Sequence, residues 1–154
     1  MLTLSAGDYA LALDPERGGA LSRFDWCGRA LLRRSLGPYN AALAHGWRGG
    51  WSVARSTARS ATLLLHRVGA DGTYIASQAF VLDEAGLTMT LSLVNLGRRA
   101  MPVDIGFGLD LDDVEIVARE GGASGGPRML ASGAVRSASL RLRATAFEEL
   151  SYFG

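Results

Sequence analysis

The sequence predicts an all-β protein, an antiparallel and twisted β-sandwich with little helix. Three observations predict it. Apolar residues recur with a period of two in several segments, Gly- and Asp-rich turns separate those segments, and no long stretch shows the 3.6-residue period of an amphipathic helix. The 154 residues amount to about one domain, and we treat 1–154 as a single sandwich.

Taken in order, the half-buried strands are "YALAL" (9–13), "ATLLLHRV" (61–68), "SQAFVL" (77–82), "LTMTLSLVN" (87–95) and "ASLRLRA" (138–144). Between them lie Asp14 to Gly19, Gly69 to Gly72, Asp83 to Gly86, Asn95 to Gly97 and Gly121 to Pro127, all carrying residues that favour tight turns. "GRALLRRSL" (28–36) and Thr145 to Leu150 are the two places where a turn or two of helix is expected. The "GGASGGP" segment reads as a loop, because it lacks the preceding strand and following helix of a phosphate-binding loop.

Composition narrows the function classes. Sixteen basic and fifteen acidic residues give a net charge of +1, so no footprint for nucleic acid or a membrane surface is present. All the basic residues are Arg, which excludes chemistry through a lysine Schiff base. A single cysteine, Cys27, leaves no disulfide framework and points to a reducing, cytoplasmic setting. The first residues lack a signal-peptide pattern, and no apolar run is long enough to span a bilayer.

Few residues suggest chemistry. His45 lies in "AHGWRGGW", a stretch with three glycines and with Trp47 and Trp51 four apart, a set that can form a stacking platform for a sugar; a turn whose tryptophans join the core is the plainer reading. His66 lies on a predicted strand and reads as a solvent-facing or structurally satisfied residue rather than a ligand. Two His and one Cys, far apart in sequence, argue against zinc, and no metal site is expected. Asp110, Asp112, Asp113 and Glu115 lack the spacing of an EF-hand loop and read as a solvated strand end. In "MPVDIGFGL" the glycines at 106 and 108 mark a place where something approaches the backbone closely.

Taken together, "YALALDPERGGALSRFDWCGRALLRRS", "HGWRGGWSV", "YIASQAFVLDEAGLTMTLSLVNLGRRAMPVDIGFGL" and "LRLRATAFEELSYF" resemble, in order, segments of the aldose 1-epimerase (galactose mutarotase-like) family. The resemblance implies a β-supersandwich, here truncated, with a sugar site on its concave face. It implies a cofactor-free interconversion of α and β anomers, in which a carboxylate takes the anomeric proton and a His protonates the ring oxygen. It also implies a small sugar, an aldohexose, as the binding partner.

Carried across position by position, the resemblance assigns a depleted site. After Met101-Pro102 and Gly106, Gly108 stands where the general-acid His is expected. Asn40 in "PYNAA" matches, but Ala41 replaces the substrate-holding Arg. Leu43 falls on the substrate-binding His, and a slip of one step brings His45 there instead. The resemblance puts the catalytic Glu shortly beyond the strand pair that ends near Phe153, and Glu148 and Glu149 come too early for it. The substrate-binding residues to expect are therefore His45, Trp47 and Asn40, in a carbohydrate-binding domain with weak or lost mutarotase activity. Loss of a general acid alone costs about 10²–10⁴-fold in rate. The alternatives are an active epimerase with His45 as acid and Asp104, Asp110, Glu148 or Glu149 as base, and a non-catalytic structural or interaction sandwich. A shortened sandwich exposes strand edges, so a homodimer through an edge is also expected.

Overall fold

The computed structural model describes residues 1–34, 37–40, 42, 47, 50–69, 72–121 and 128–145. Four strands come first: β1 (Leu2–Ala6), β2 (Tyr9–Asp14), β3 (Ala20–Trp26) and β4 (Arg29–Ala30). A 3-10 turn at Pro15–Arg17, capped by the Asp14 carboxylate on Glu16 N, joins β2 to β3. Then come β5 (Pro38–Asn40), β6 (Ser52–Ser56), β7 (Ser60–Gly69), β8 (Gly72–Asp83) and β9 (Gly86–Asn95). The last strands are β10 (Met101–Val103), β11 (Ile105–Phe107), β12 (Val114–Gly121), β13 (Arg128–Leu130) and β14 (Val135–Ala144).

They form an antiparallel β-sandwich. One sheet has the order β1-β2-β3-β4, and the larger has the order β12-β14-β9-β8-β7-β6. Two short ladders, β10 with β13 and β11 with β5, complete the architecture. The period-two segments became strands as expected, and the inward sets are apolar apart from Gln78 on β8. In β9, Leu87, Met89, Leu91 and Leu93 are buried while Thr88, Thr90, Ser92 and Val94 between them are half-buried. On β8 the inward set is Tyr74, Ala76, Gln78, Phe80 and Leu82. These side chains share one core with Leu4, Leu11, Leu13, Leu21 and Phe24 from the smaller sheet. A fully buried Leu or Phe contributes about 1.5–3 kcal/mol, so the two inner faces hold the layers together.

Residues 28–34, the described part of the helix expected at 28–36, depart from it. Cys27 and Gly28 both take positive φ, 51° and 76°, in a two-residue loop between the paired Trp26 and Arg29. That is the backbone a tight hairpin of right-handed twist needs, and it returns the chain along β3 before a helical turn can start. Leu32 then bridges Leu111, and Arg33 N donates to Asp110 O at 2.8 Å. Of the other expected helix, 145–150, only Thr145 is among the described residues, where its N–H donates to Asp113 O.

Both edge strands of the larger sheet are interrupted. On β12 the register shifts between Ile116 and Ala118, and on β6 it shifts between Val53 and Arg55. Bulges twist an edge out of plane, which discourages a further strand from pairing there.

An ion pair ties β14 to the end of β8: Arg141 Nη2 lies 3.2 Å from Asp83 Oδ2, and Arg141 Nη1 donates to Thr88 Oγ1 at 2.7 Å. Desolvation is the largest single influence on Asp83 and raises its pKa. The Ala85 and Gly86 N–H groups and Arg141 together outweigh it, so the carboxyl sits below its usual 3.8. A folded pKa below the unfolded one gives stability that is present above about pH 4 and lost as pH falls through the folded value. The pair is half-exposed, so the expected loss is at most about 1 kcal/mol. Urea midpoints at pH 7 and pH 3, for wild type and Arg141→Met, provide the check: the drop on acidification is expected to be smaller in the variant.

Candidate functional site

Two segments far apart in sequence meet where β5 pairs with β11. Asn40 lies opposite Ile105, Tyr39 opposite Gly106 and Pro38 opposite Phe107. "PYN" and "IGFG", two of the motifs to which the family resemblance assigns site residues, are thus neighbouring strands. Asn40 fixes the junction. Its side chain is wholly buried, and Oδ1 accepts from Asp104 N at 3.0 Å and Ala42 N at 3.2 Å. Asn40 Nδ2 has no hydrogen-bond partner among the described residues. A buried amide donor left unpaired costs about 1–3 kcal/mol, so such a group is normally matched by water or a ligand.

The two glycines of β11 and its exit differ in what they do. A Cβ on Gly106 would lie 2.6 Å from the Tyr39 hydroxyl oxygen, so the close approach that the sequence suggests is the approach of Tyr39. Gly108 has no such constraint. Its N–H donates to Gly37 O at 3.1 Å, and a Cβ there would sit 3.6 Å from that oxygen and 3.9 Å from Tyr39 Cδ1, in ordinary contact. Space for a side chain exists at the position the resemblance gives to the general acid, and the chain places none there.

The acids beyond Gly108 are engaged rather than merely solvated. Asp110 lies 3.6 Å from Arg33 Nη1 and 3.7 Å from Arg34 Nε. Asp112 accepts from Arg33 Nε at 2.6 Å, and that hydrogen bond is the main cause holding its carboxyl below the usual range. Asp113 lies 2.8 Å from Arg29 Nη2, and Glu115 accepts from Arg143 Nε at 2.6 Å. Four carboxylates and four guanidinium groups form a clasp between 29–34 and the start of β12, together with the β12–β14 cross-strand pair. Nothing in the sequence spacing signals it, because the partners are brought together only by the β3–β4 turn. Among the described residues no group of His, Cys, Asp and Glu could hold a metal ion.

Trp47 is 4% exposed and belongs to the core. Its Nε1 donates to Tyr74 Oη at 3.2 Å, and its ring meets Trp51 edge to face at 5.4 Å. The structure therefore sides with the plainer reading of these tryptophans, with no open stacking face at either. Trp51 Nε1 and Gln78 Oε1 are buried and, like Asn40 Nδ2, have no hydrogen-bond partner among the described residues. His45, Glu148 and Glu149 lie outside the described residues. His66 is exposed on β7 opposite Ile75, in the larger sheet rather than on β5 or β11. Asp104 adjoins the junction, its backbone N–H held by Asn40.

No family model and no curated protein matches the chain. Solved structures do. The chain is similar to a provisionally assigned aldose 1-epimerase from Escherichia coli K12, at 20% identity over 84% of this chain and 59% of that one, with a TM-score of 0.61. It is similar to a galactose mutarotase-like protein from Lactobacillus casei, at 16% identity over 88% and 63%, with a TM-score of 0.62. It is also similar to one from Clostridium acetobutylicum, at 14% identity over 84% and 60%, with a TM-score of 0.61. The chain therefore has the galactose mutarotase-like fold, and it spans about three fifths of the length of these structures.

Proposed function

We propose that this chain binds a small aldose beside the β5–β11 junction and that its mutarotase activity is weak or absent. The observation that carries the reading is the junction itself: within a mutarotase-like fold, Asn40 offers an unpaired amide donor there while Gly108 offers no acid. Asn40 anchors the binding set, with His45 in the segment that follows it as the second expected member; Trp47, part of the core, is not in it. An Asn amide can donate to a sugar hydroxyl, but it cannot deliver a proton to a ring oxygen. Opening the ring needs both that delivery and a base at the anomeric hydroxyl. Asp110, the nearest acid after Gly108 in the chain, is held between Arg33 and Arg34 and is poorly placed to be that base. The same reading makes the chain a cytoplasmic protein of carbohydrate metabolism, consistent with its single cysteine. No helix among the described residues is long and apolar enough to cross a membrane.

Polarimetry and saturation-transfer NMR with α-glucose and α-galactose test the two halves separately. The expected result is saturation transfer to at least one sugar with no acceleration of mutarotation over the spontaneous rate. Gly108→His should fold normally, since its Cβ has room, and should still not accelerate the reaction without a base. Acceleration by the wild type that His45→Ala abolishes would establish the alternative, an epimerase with a rearranged acid. Absence of transfer to every aldose would overturn the binding half.

A further inference from the structure

A second site lies away from the β5–β11 junction. A cleft of about 410 Å³ opens between the start of β2, the end of β3, the β8–β9 turn and the facing ends of β12 and β14. Its walls include Tyr9, Trp26, Glu84, Glu115, Arg143 and Thr145. The volume falls within the usual range for small-molecule pockets.

The aromatic side of the cleft is built and rigid. Tyr9 is buried, stacks on Phe24 at 5.9 Å, and its hydroxyl accepts from Ala144 N at 3.0 Å. That bond also ties the smaller sheet to β14. Trp26 leans on Tyr9 at 6.3 Å and 45° and is only partly buried, so part of its indole surface faces the cleft.

The polar side carries an imbalance of charge. Arg143 is committed to Glu115 through the 2.6 Å hydrogen bond and a second, shorter contact from Nη2. Glu84, on the exposed two-residue turn between the paired Asp83 and Gly86, has no ion-pair partner among the described residues. The lining therefore carries a net charge of −1 beside an indole ring. A ligand with neither charge nor hydrogen-bond donors offers the Glu84 carboxylate nothing, and an anion would be repelled. A cation gains on both sides, from the carboxylate and from the electron-rich indole face.

We propose that this cleft binds a small organic ammonium ion, with Trp26 as the π surface and Glu84 as the counter-charge. The proposal is independent of sugar binding at β5 and β11. Such an ion can be a free amine or a lysine side chain of a partner, and the experiment separates these.

The test is a ¹H–¹⁵N NMR titration of the full chain with choline, its neutral isostere 3,3-dimethylbutanol, sodium chloride at matched ionic strength, glucose, and a short lysine-containing peptide. Choline is expected to shift the Trp26 indole N–H and the Glu84, Ala85 and Thr145 amides saturably, with Trp47 and Trp51 unmoved. Glu84→Gln, on an exposed turn, should weaken binding about 5- to 10-fold with the fold intact, and Trp26→Leu should weaken it at least as much. Stronger binding of the peptide than of choline would assign the cation to a protein partner. Equal shifts with dimethylbutanol or with sodium chloride would overturn the proposal, as would no saturable shift with any cation. Shifts with glucose in place of choline would overturn it too, by making the cleft a saccharide site.

Discussion

Gly86→Ala is expected to destabilise the protein by about 4–5 kcal/mol, among the largest effects a single methyl group can have. Gly86 opens β9 at the tight β8–β9 turn, with φ at +145°, a conformation an L side chain rarely takes. A Cβ built there would lie 2.0 Å from Leu142 O and 3.1 Å from its carbonyl carbon. The obstacle is backbone held on both sides, because Leu142 closes the β14–β9 register opposite Leu87 and pairs with Ile116 of β12 on its other edge. Neither strand can shift without breaking pairs that bury Leu87 and Leu142, both fully inaccessible. Strain at such a φ costs about 1–3 kcal/mol by itself, and the displaced ladder supplies the rest. For a domain of this size the melting temperature should fall by roughly 10–15 °C. Thermal unfolding followed by circular dichroism reads the change, and a shift under about 3 °C would show that the turn relaxes freely.

Asn95→Ala comes next, with an expected loss of about 3 kcal/mol. Asn95 ends β9, is 1% exposed, and serves three segments at once. Its Nδ2 donates to Arg99 O at 2.8 Å and Leu130 O at 3.0 Å, and its Oδ1 accepts from Gly97 N at 2.9 Å. Its backbone N–H and C=O are bound to Ala134 and Gly133. Truncation leaves Leu130 O and Gly97 N buried or nearly so without partners. It also loosens β13 and the run-in to Met101-Pro102, and so the support of the β5–β11 junction. Asn95→Asp separates the donor from the acceptor. A carboxylate facing two carbonyl oxygens, in a buried position, has its folded pKa raised above the unfolded value. The Asp variant should therefore be least stable near pH 7 and regain stability relative to wild type as pH falls through that folded pKa. Urea denaturation at pH 7 and pH 5 measures the difference; a gap unchanged with pH would mean the donor bonds matter little.

The site was partly legible. "PYN" and "IGFG" can be picked out as candidate site segments from the sequence, and the structure makes them adjacent strands. A glycine at 106 inside an apolar run signals a close approach, and Tyr39 is what approaches. The acids at 110–113 look like a solvated strand end in the sequence because their partners, Arg29, Arg33 and Arg34, lie about eighty residues away. The helix expected at 28–36 failed for a related reason: a Cys-Gly pair gives little warning that both residues will take positive φ. The cleft at Trp26 and Glu84 was invisible, since its walls come from five separated segments.

What the sequence by itself determined is whatever repeats locally. Alternation at period two set which residues of β7, β8, β9 and β14 face the core, and Gly- and Asp-rich turns set where those strands stop. These follow from backbone sterics and from the burial of every second side chain, which act over a few residues. Only the tertiary structure decided the order β12-β14-β9-β8-β7-β6, the meeting of Tyr39 with Gly106, the pairing of the acids with their arginines, and the gathering of Glu84 and Trp26 into one cleft. Each depends on closing loops of tens of residues. There the choice of partner rests on how two whole sheets bury their faces together, which no single segment specifies.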